Sequence, residues 1–122
     1  MDQRQIVIYE RDQLTRDLLK EWLAEAGYEV RIGTPHDARC DRPAELVVVS
    51  VYLPKCAGLE CVRSIQTAHP GTPIIAISGH FRSGLAPAGA AAAALNVQQV
   101  LAKPLVRSQV LRAVSAIMGH PA

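Results

Sequence analysis

The sequence predicts an α/β domain built on a doubly wound, five-stranded parallel sheet, and three observations carry that prediction. Five short apolar or β-branched runs alternate with five helical stretches along 122 residues. The connections between them are short, so each strand–helix–strand passage is a right-handed crossover that returns the next strand parallel to the last, with helices on both faces. The third run, Leu46-Val47-Val48-Val49-Ser50, is apolar on both faces, as a central strand of a parallel sheet must be.

Residues 6–9 (Ile-Val-Ile-Tyr) are β-branched and aromatic, which predicts a short buried strand. Asp12 is placed to cap the helix that follows, where Leu14, Leu18, Leu19, Trp22, Leu23 and Ala26 recur at three- and four-residue spacing to give one apolar face. Gly27 falls where a helix ends in the left-handed conformation, and residues 28–32 alternate as a second strand. Thr34-Pro35 starts a short helix that Pro43 limits, and residues 45–50 form the third strand. Gly58 opens a helix carrying Leu59, Val62 and Ile65, which Pro70-Gly71 breaks before a fourth strand over 73–78. The alanine-rich stretch 87–95 has high helix propensity, and Asn96 can close it. Residues 97–101 form the fifth strand. The last helix spans 105–118, with Val110, Leu111, Val114, Ile117 and Met118 on one face.

Composition narrows the function. The length suits one domain, 1–122, with no output domain expected. With 49% hydrophobic and 20% charged residues the chain is an ordinary globular one, and aromatics at 4% leave the core to aliphatic packing. Thirteen basic and eleven acidic residues are mixed along the chain for a net charge of +2, which gives no electrostatic reason to expect nucleic acid. The polar start, Met1 to Gln5, has no targeting pattern, and no apolar stretch reaches membrane-spanning length. Three cysteines (Cys40, Cys56, Cys61), without a CxxC, fit free thiols in a reducing cytoplasm. Cys56 and Cys61 with His69 lack the spacing of a zinc site. His36, His69, His80 and His120 show no metal-ligand or triad spacing and read as solvated. No GxGxxG or Walker pattern indicates a nucleotide site.

In open parallel sheets, function collects at the carboxyl ends of the strands. Those ends are Tyr9-Glu10-Arg11, Ser50, Ser78 and Ala102-Lys103. Ser50 is followed by Pro54 and Gly58, Ser78 ends the fourth strand, Lys103-Pro104 follows the fifth, and Arg16 lies in the first helix. That frame, running from Ile6 to Met118, resembles the receiver (CheY-like) domain of bacterial response regulators. The resemblance implies the flavodoxin-like strand order 2-1-3-4-5 and a place in two-component phosphorelay signalling. It also implies a cis bond before Pro104 that aims Lys103 into the site.

The same resemblance exposes departures. In the family the strand-three residue is an aspartate that accepts a phosphoryl group; here it is Ser50, which cannot form an acyl phosphate. The family's acidic pair, which binds Mg²⁺ with that aspartate, maps to Glu10 and Arg11, so two of three carboxylates are gone. At roughly 6 Å and an effective dielectric of about 20, a guanidinium repels a divalent ion by about 5 kcal/mol. No tight Mg²⁺ site, and no other cofactor, is therefore expected. The aromatic that swings inward on activation in many relatives maps to Val100. Ser78 and Lys103 do match the family's phosphate-contacting hydroxyl and lysine. Lys103 can pair with Glu10 while Ser78 bonds backbone, or Arg11, Lys103, Ser50 and Ser78 can hold an anion.

These features predict a non-enzymatic, cytoplasmic pseudo-receiver, not phosphorylated at the usual site. It would bind a protein partner such as a histidine kinase or phosphotransferase. By resemblance the contact face is helix four, strand five and helix five, including Val100, Arg107 and Arg112. The alternatives are a working response regulator phosphorylated elsewhere, with Asp12 nearby, or an anion or small-ligand sensor using the Arg11/Lys103 pocket. A serine hydrolase has little support, since Ser50 lacks an elbow motif.

Overall fold

The computed structural model describes residues 5–33, 45–50, 62–67, 69, 71–78, 97–102 and 105–118. Within them the elements run β1 (Gln5–Tyr9), α1 (Gln13–Glu25), β2 (Glu29–Ile32), β3 (Leu46–Ser50), a helical segment α2 (62–67), β4 (Ile74–Ser78), β5 (Gln99–Ala102) and α3 (Arg107–Met118). The strands form one sheet in the order β2-β1-β3-β4-β5, and every pairing is parallel. The expected fold class and strand order are therefore present. The readings on Thr34-Pro35, Pro54, Gly58, 79–95 and Lys103-Pro104 lie outside the described residues.

Strand alternation sorts the core into two layers. Ile6, Ile8, Leu46, Val48, Ile75, Ile77 and Leu101 pack against Leu19 and Leu23 of α1 and Val110, Ala113 and Val114 of α3. Val7, Tyr9, Val47, Val49, Ile74, Ala76 and Val100 pack against Val62 and Ile65 of α2. All five residues of β3 and all five of β4 are buried, which explains their unbroken apolar character. Each such side chain contributes on the order of 1.5–3 kcal/mol of burial free energy.

α1 begins as its sequence dictates. Asp12 has extended backbone, and its Oδ2 accepts from the Thr15 N–H at 3.0 Å and from Thr15 Oγ1 at 2.6 Å. The helix ends at Ala26, and Gly27 takes φ 100°, where a Cβ would be strained. Leu14 departs from the expected apolar face: it is 70% exposed. It lies five residues before Leu19, about 140° around a helix of 3.6 residues per turn, and so points away from the sheet.

Truncation along α1 is expected to follow this geometry. Leu23→Ala costs about 2–5 kcal/mol in urea unfolding, Leu14→Ala no more than about 0.5 kcal/mol, and Asp12→Ala about 0.5–2 kcal/mol. Equal losses for Leu14→Ala and Leu23→Ala would contradict the packing.

Candidate functional site

Register brings two of the sequence-predicted site residues together. Ile8 lies opposite Val48 and Tyr9 opposite Val49 across the β1–β3 ladder. Two residues beyond that first pair, Glu10 and Ser50 stand at the carboxyl edge in the same side-chain files as Ile8 and Val48. Both are 6% exposed. The Ser50 hydroxyl donates to Glu10 Oε2, and the other carboxylate oxygen, Oε1, accepts the Asp12 N–H at 3.0 Å. A buried carboxylate is tolerated only when donors surround it, and bonds to an ionised acceptor are the stronger kind. Glu10 thereby ties the end of β3 to the start of α1.

The other predicted residues are placed differently. Arg11 is exposed beside Glu10. Ser78 is 1% exposed at the end of β4, one position off the Ser50 file: Ser50 lies opposite Ile77, and Ser78 opposite Ala102. Alternation puts Ser78 with Ile74 and Ala76, on the α2 side. Lys103 and Pro104 lie outside the described residues, so the Lys103–Glu10 pairing and the cis bond are not described. Among the described residues, no three His, Cys, Asp or Glu side chains are grouped to hold a metal ion.

Val100 needs correction as a member of a contact face. It is 1% exposed and packs in the α2-side layer, because its neighbours in β4 and β5 leave it no outward path. Arg107 and Arg112 are exposed on α3, and Arg107 meets Glu25 at 3.5 Å. That exposed pair is worth at most about 1 kcal/mol.

His69 also needs correction, since it is not solvated. It is 4% exposed, its Nε2 is hydrogen-bonded to the Tyr9 hydroxyl at 2.7 Å, and the two rings meet edge-on with centroids 5.8 Å apart. The missed signal was helical period: His69 lies four residues after Ile65 and seven after Val62, and its N–H still donates to the Ile65 carbonyl. It therefore continues the buried stripe of α2. Burial, and secondarily the positive charge of Arg31, push its pKa below the ordinary 6.5. Tyr9 is in turn fitted against Gly33, where an added Cβ would stand 2.6 Å from the Tyr9 ring.

An open five-stranded parallel sheet with this strand order and a polar cluster at its carboxyl edge defines a receiver-type α/β domain. The family model of the response regulator receiver domain matches residues 6–115, and the chain belongs to that family. Among solved structures it is similar to a CheY-like receiver domain from Methylobacillus flagellatus, with 25% identity and a TM-score of 0.73 over 95% of this chain and 99% of that one. A CheY-like receiver domain protein from Methanospirillum hungatei JF-1 shares 19% identity at a TM-score of 0.74, over 94% and 93% of the two chains. A sensor protein from Polaromonas sp. JS666 shares 20% at a TM-score of 0.76, over 96% and 97%. No curated protein matches the chain.

Two outcomes follow from the site. Ser50→Ala removes a donor from a buried carboxylate and is expected to cost about 1–3 kcal/mol in urea unfolding at neutral pH. A loss within measurement error would mean that the hydrogen bond does not matter to the fold. His69 supplies a pH dependence. Its folded-state pKa is lowered, so below 6.5 the unfolded chain takes up a proton that the folded chain resists. Its stabilisation is complete above 6.5 and declines as pH falls from there toward the lowered folded value. The wild-type urea midpoint should drop across that window by more than the midpoint of His69→Gln; parallel curves would exclude this contribution.

Proposed function

We propose that this receiver domain works in two-component signalling without phosphorylation at position 50, as a non-enzymatic module that binds a protein partner. The observation that carries the reading is the hydrogen bond from Ser50 to Glu10. A serine at this position offers no carboxylate to become an acyl phosphate, and its hydroxyl hydrogen is already engaged. The remaining acid of the site is met by Ser50 and by the Asp12 N–H, so it has donors without a cation.

The donor set also fits Mg²⁺ poorly. A hard divalent cation needs several anionic or carbonyl oxygens. The positions corresponding to the three family carboxylates hold one carboxylate, one hydroxyl bonded to it, and the guanidinium of Arg11. Mg²⁺ is therefore proposed not to bind tightly. The same buried carboxylate argues against an anion sensor here, because it stands where the anion would sit. Asp12 is a weak substitute acceptor, since its Oδ2 already caps α1 through both donors of Thr15.

A histidine kinase, a phosphotransferase or another signalling protein is the class of partner that the family supports. Apolar side chains free for such contact are Leu14, at the start of α1, and Val106, just ahead of α3, which are 70% and 48% exposed. Helices α1 and α3 contact one another on the same side of the sheet, and the exposed Arg112 extends that surface. No described helix is long and apolar enough to cross a membrane.

Acetyl phosphate with Mg²⁺, followed by intact-mass measurement, tests the reading. The wild type is expected to gain no hydroxylamine-labile phosphoryl group. The double variant Arg11→Asp, Ser50→Asp, which restores three carboxylates, is expected to gain one only when Mg²⁺ is present. Labile label on the wild type would sink the proposal.

A further inference from the structure

At the opposite edge of the sheet from Ser50 lies a groove of about 330 Å³, lined by Gln66, His69, Gly71, Thr72, Ile74 and Gln98. It sits where α2 has ended and β4 begins. The turn beneath it is closed by the Thr72 N–H donating to the His69 carbonyl at 3.1 Å, with Gly71 at φ 76° as a type II turn requires. A Cβ built on Gly71 would meet nothing within 4 Å, so the groove is open on that side.

Its chemistry is polar but uncharged. No Lys, Arg, Asp or Glu is among its lining residues; they offer two carboxamides, a hydroxyl and an imidazole, with Ile74 as the apolar member. Two of the polar groups are held in place. Gln98 Oε1 accepts the Ile74 N–H at 2.8 Å and the Gln98 N–H donates to the Ile74 carbonyl at 3.0 Å, leaving the Gln98 Nε2 hydrogens for a ligand. His69 has Nε2 on Tyr9, leaving Nδ1 and a ring face. Fixed donors cost little entropy to use, and a space near the lower limit of ligand pockets suits a small molecule rather than a peptide.

We propose that this groove binds a small, uncharged, planar heterocycle carrying an amide-like edge, of the size of nicotinamide or a free nucleobase, with Gln98 and His69 reading that edge. The absence of a lining charge disfavours ions, because a charged ligand would be partly desolvated with nothing to pair with. Because His69 is bonded to Tyr9, and Tyr9 precedes Glu10, occupancy would be felt in the β1 end of the receiver site. The inference is independent of whether position 50 takes a phosphoryl group.

Titration of the full chain, followed by NMR, with nicotinamide and cytosine as probes and acetate and methylammonium as charged controls, tests it. The expected result is a saturable, millimolar or tighter response from one of the two heterocycles, confined to Gln66, His69, Gly71, Thr72 and Gln98 with a secondary shift at Tyr9. Gln66→Leu and Thr72→Val, each shown folded by its urea midpoint, should weaken that response about tenfold or more. No saturable response from either heterocycle, an equal response from the ions, or unchanged affinity in both folded variants would overturn the proposal.

Discussion

The complete burial of β3 is the constraint on which the rest of the molecule depends. The strand is paired on both sides, and its residues alternate between two core layers, with Leu46 and Val48 toward α1 and α3 and Val47 and Val49 toward α2. Because both faces are apolar, neither layer alone fixes the register. The pairing with β1 and β4 does, and a one-residue slip would exchange the layers and rotate Ser50 to the wrong side of the sheet. The meeting of Ser50 with Glu10 is thus a consequence of core packing two residues earlier, at Ile8 and Val48.

Glu10 shows how one substitution reshapes the demands on its neighbours. Two carboxylates held together at a buried sheet edge repel each other unless a cation or a proton intervenes. With serine at position 50, the second group is a neutral donor and the repulsion is gone. Glu10 then joins three chain segments: the end of β1 that carries it, the end of β3 through Ser50, and the entrance to α1 through the Asp12 N–H. What the family uses as a reaction centre resembles, in this chain, a structural fastening.

The fold was legible because its signals are periodic and local. β3 and β4 announce themselves as unbroken apolar runs, Asp12 as a cap, and Gly27 as a helix stop, and each corresponds to a short-range physical requirement. The pairing of Glu10 with Ser50 was only half legible. Family resemblance placed both residues at one edge, but which partner Glu10 takes depends on register and side-chain rotamer, which no spacing records. Leu14 was misjudged because a heptad-like listing tolerates a residue 140° off the stripe. His69 was misjudged by residue type: a polar residue at an apolar position of α2 is buried when a partner from a distant strand awaits it, and Tyr9 is sixty residues away in sequence. Val100 was read through its role in relatives, while its place between β4 and the α2-side layer was set by simple alternation.

Tyr9 and Gly33 carry a consequence for how this sequence can change. The phenol ring lies over the end of β2 so closely that position 33 has no room for a methyl group, and Val7 closes the same space from the other side at 3.1 Å. The two positions are therefore interlocked. Any side chain gained at 33 requires a smaller residue at 9, and a smaller residue at 9 takes the hydroxyl away from His69 and leaves the imidazole buried without it. A substitution at the tip of β2 is thus transmitted, through a ring that never touches Ser50, to a histidine on the far side of the chain. Drift in this domain has to move through those three positions together or not at all.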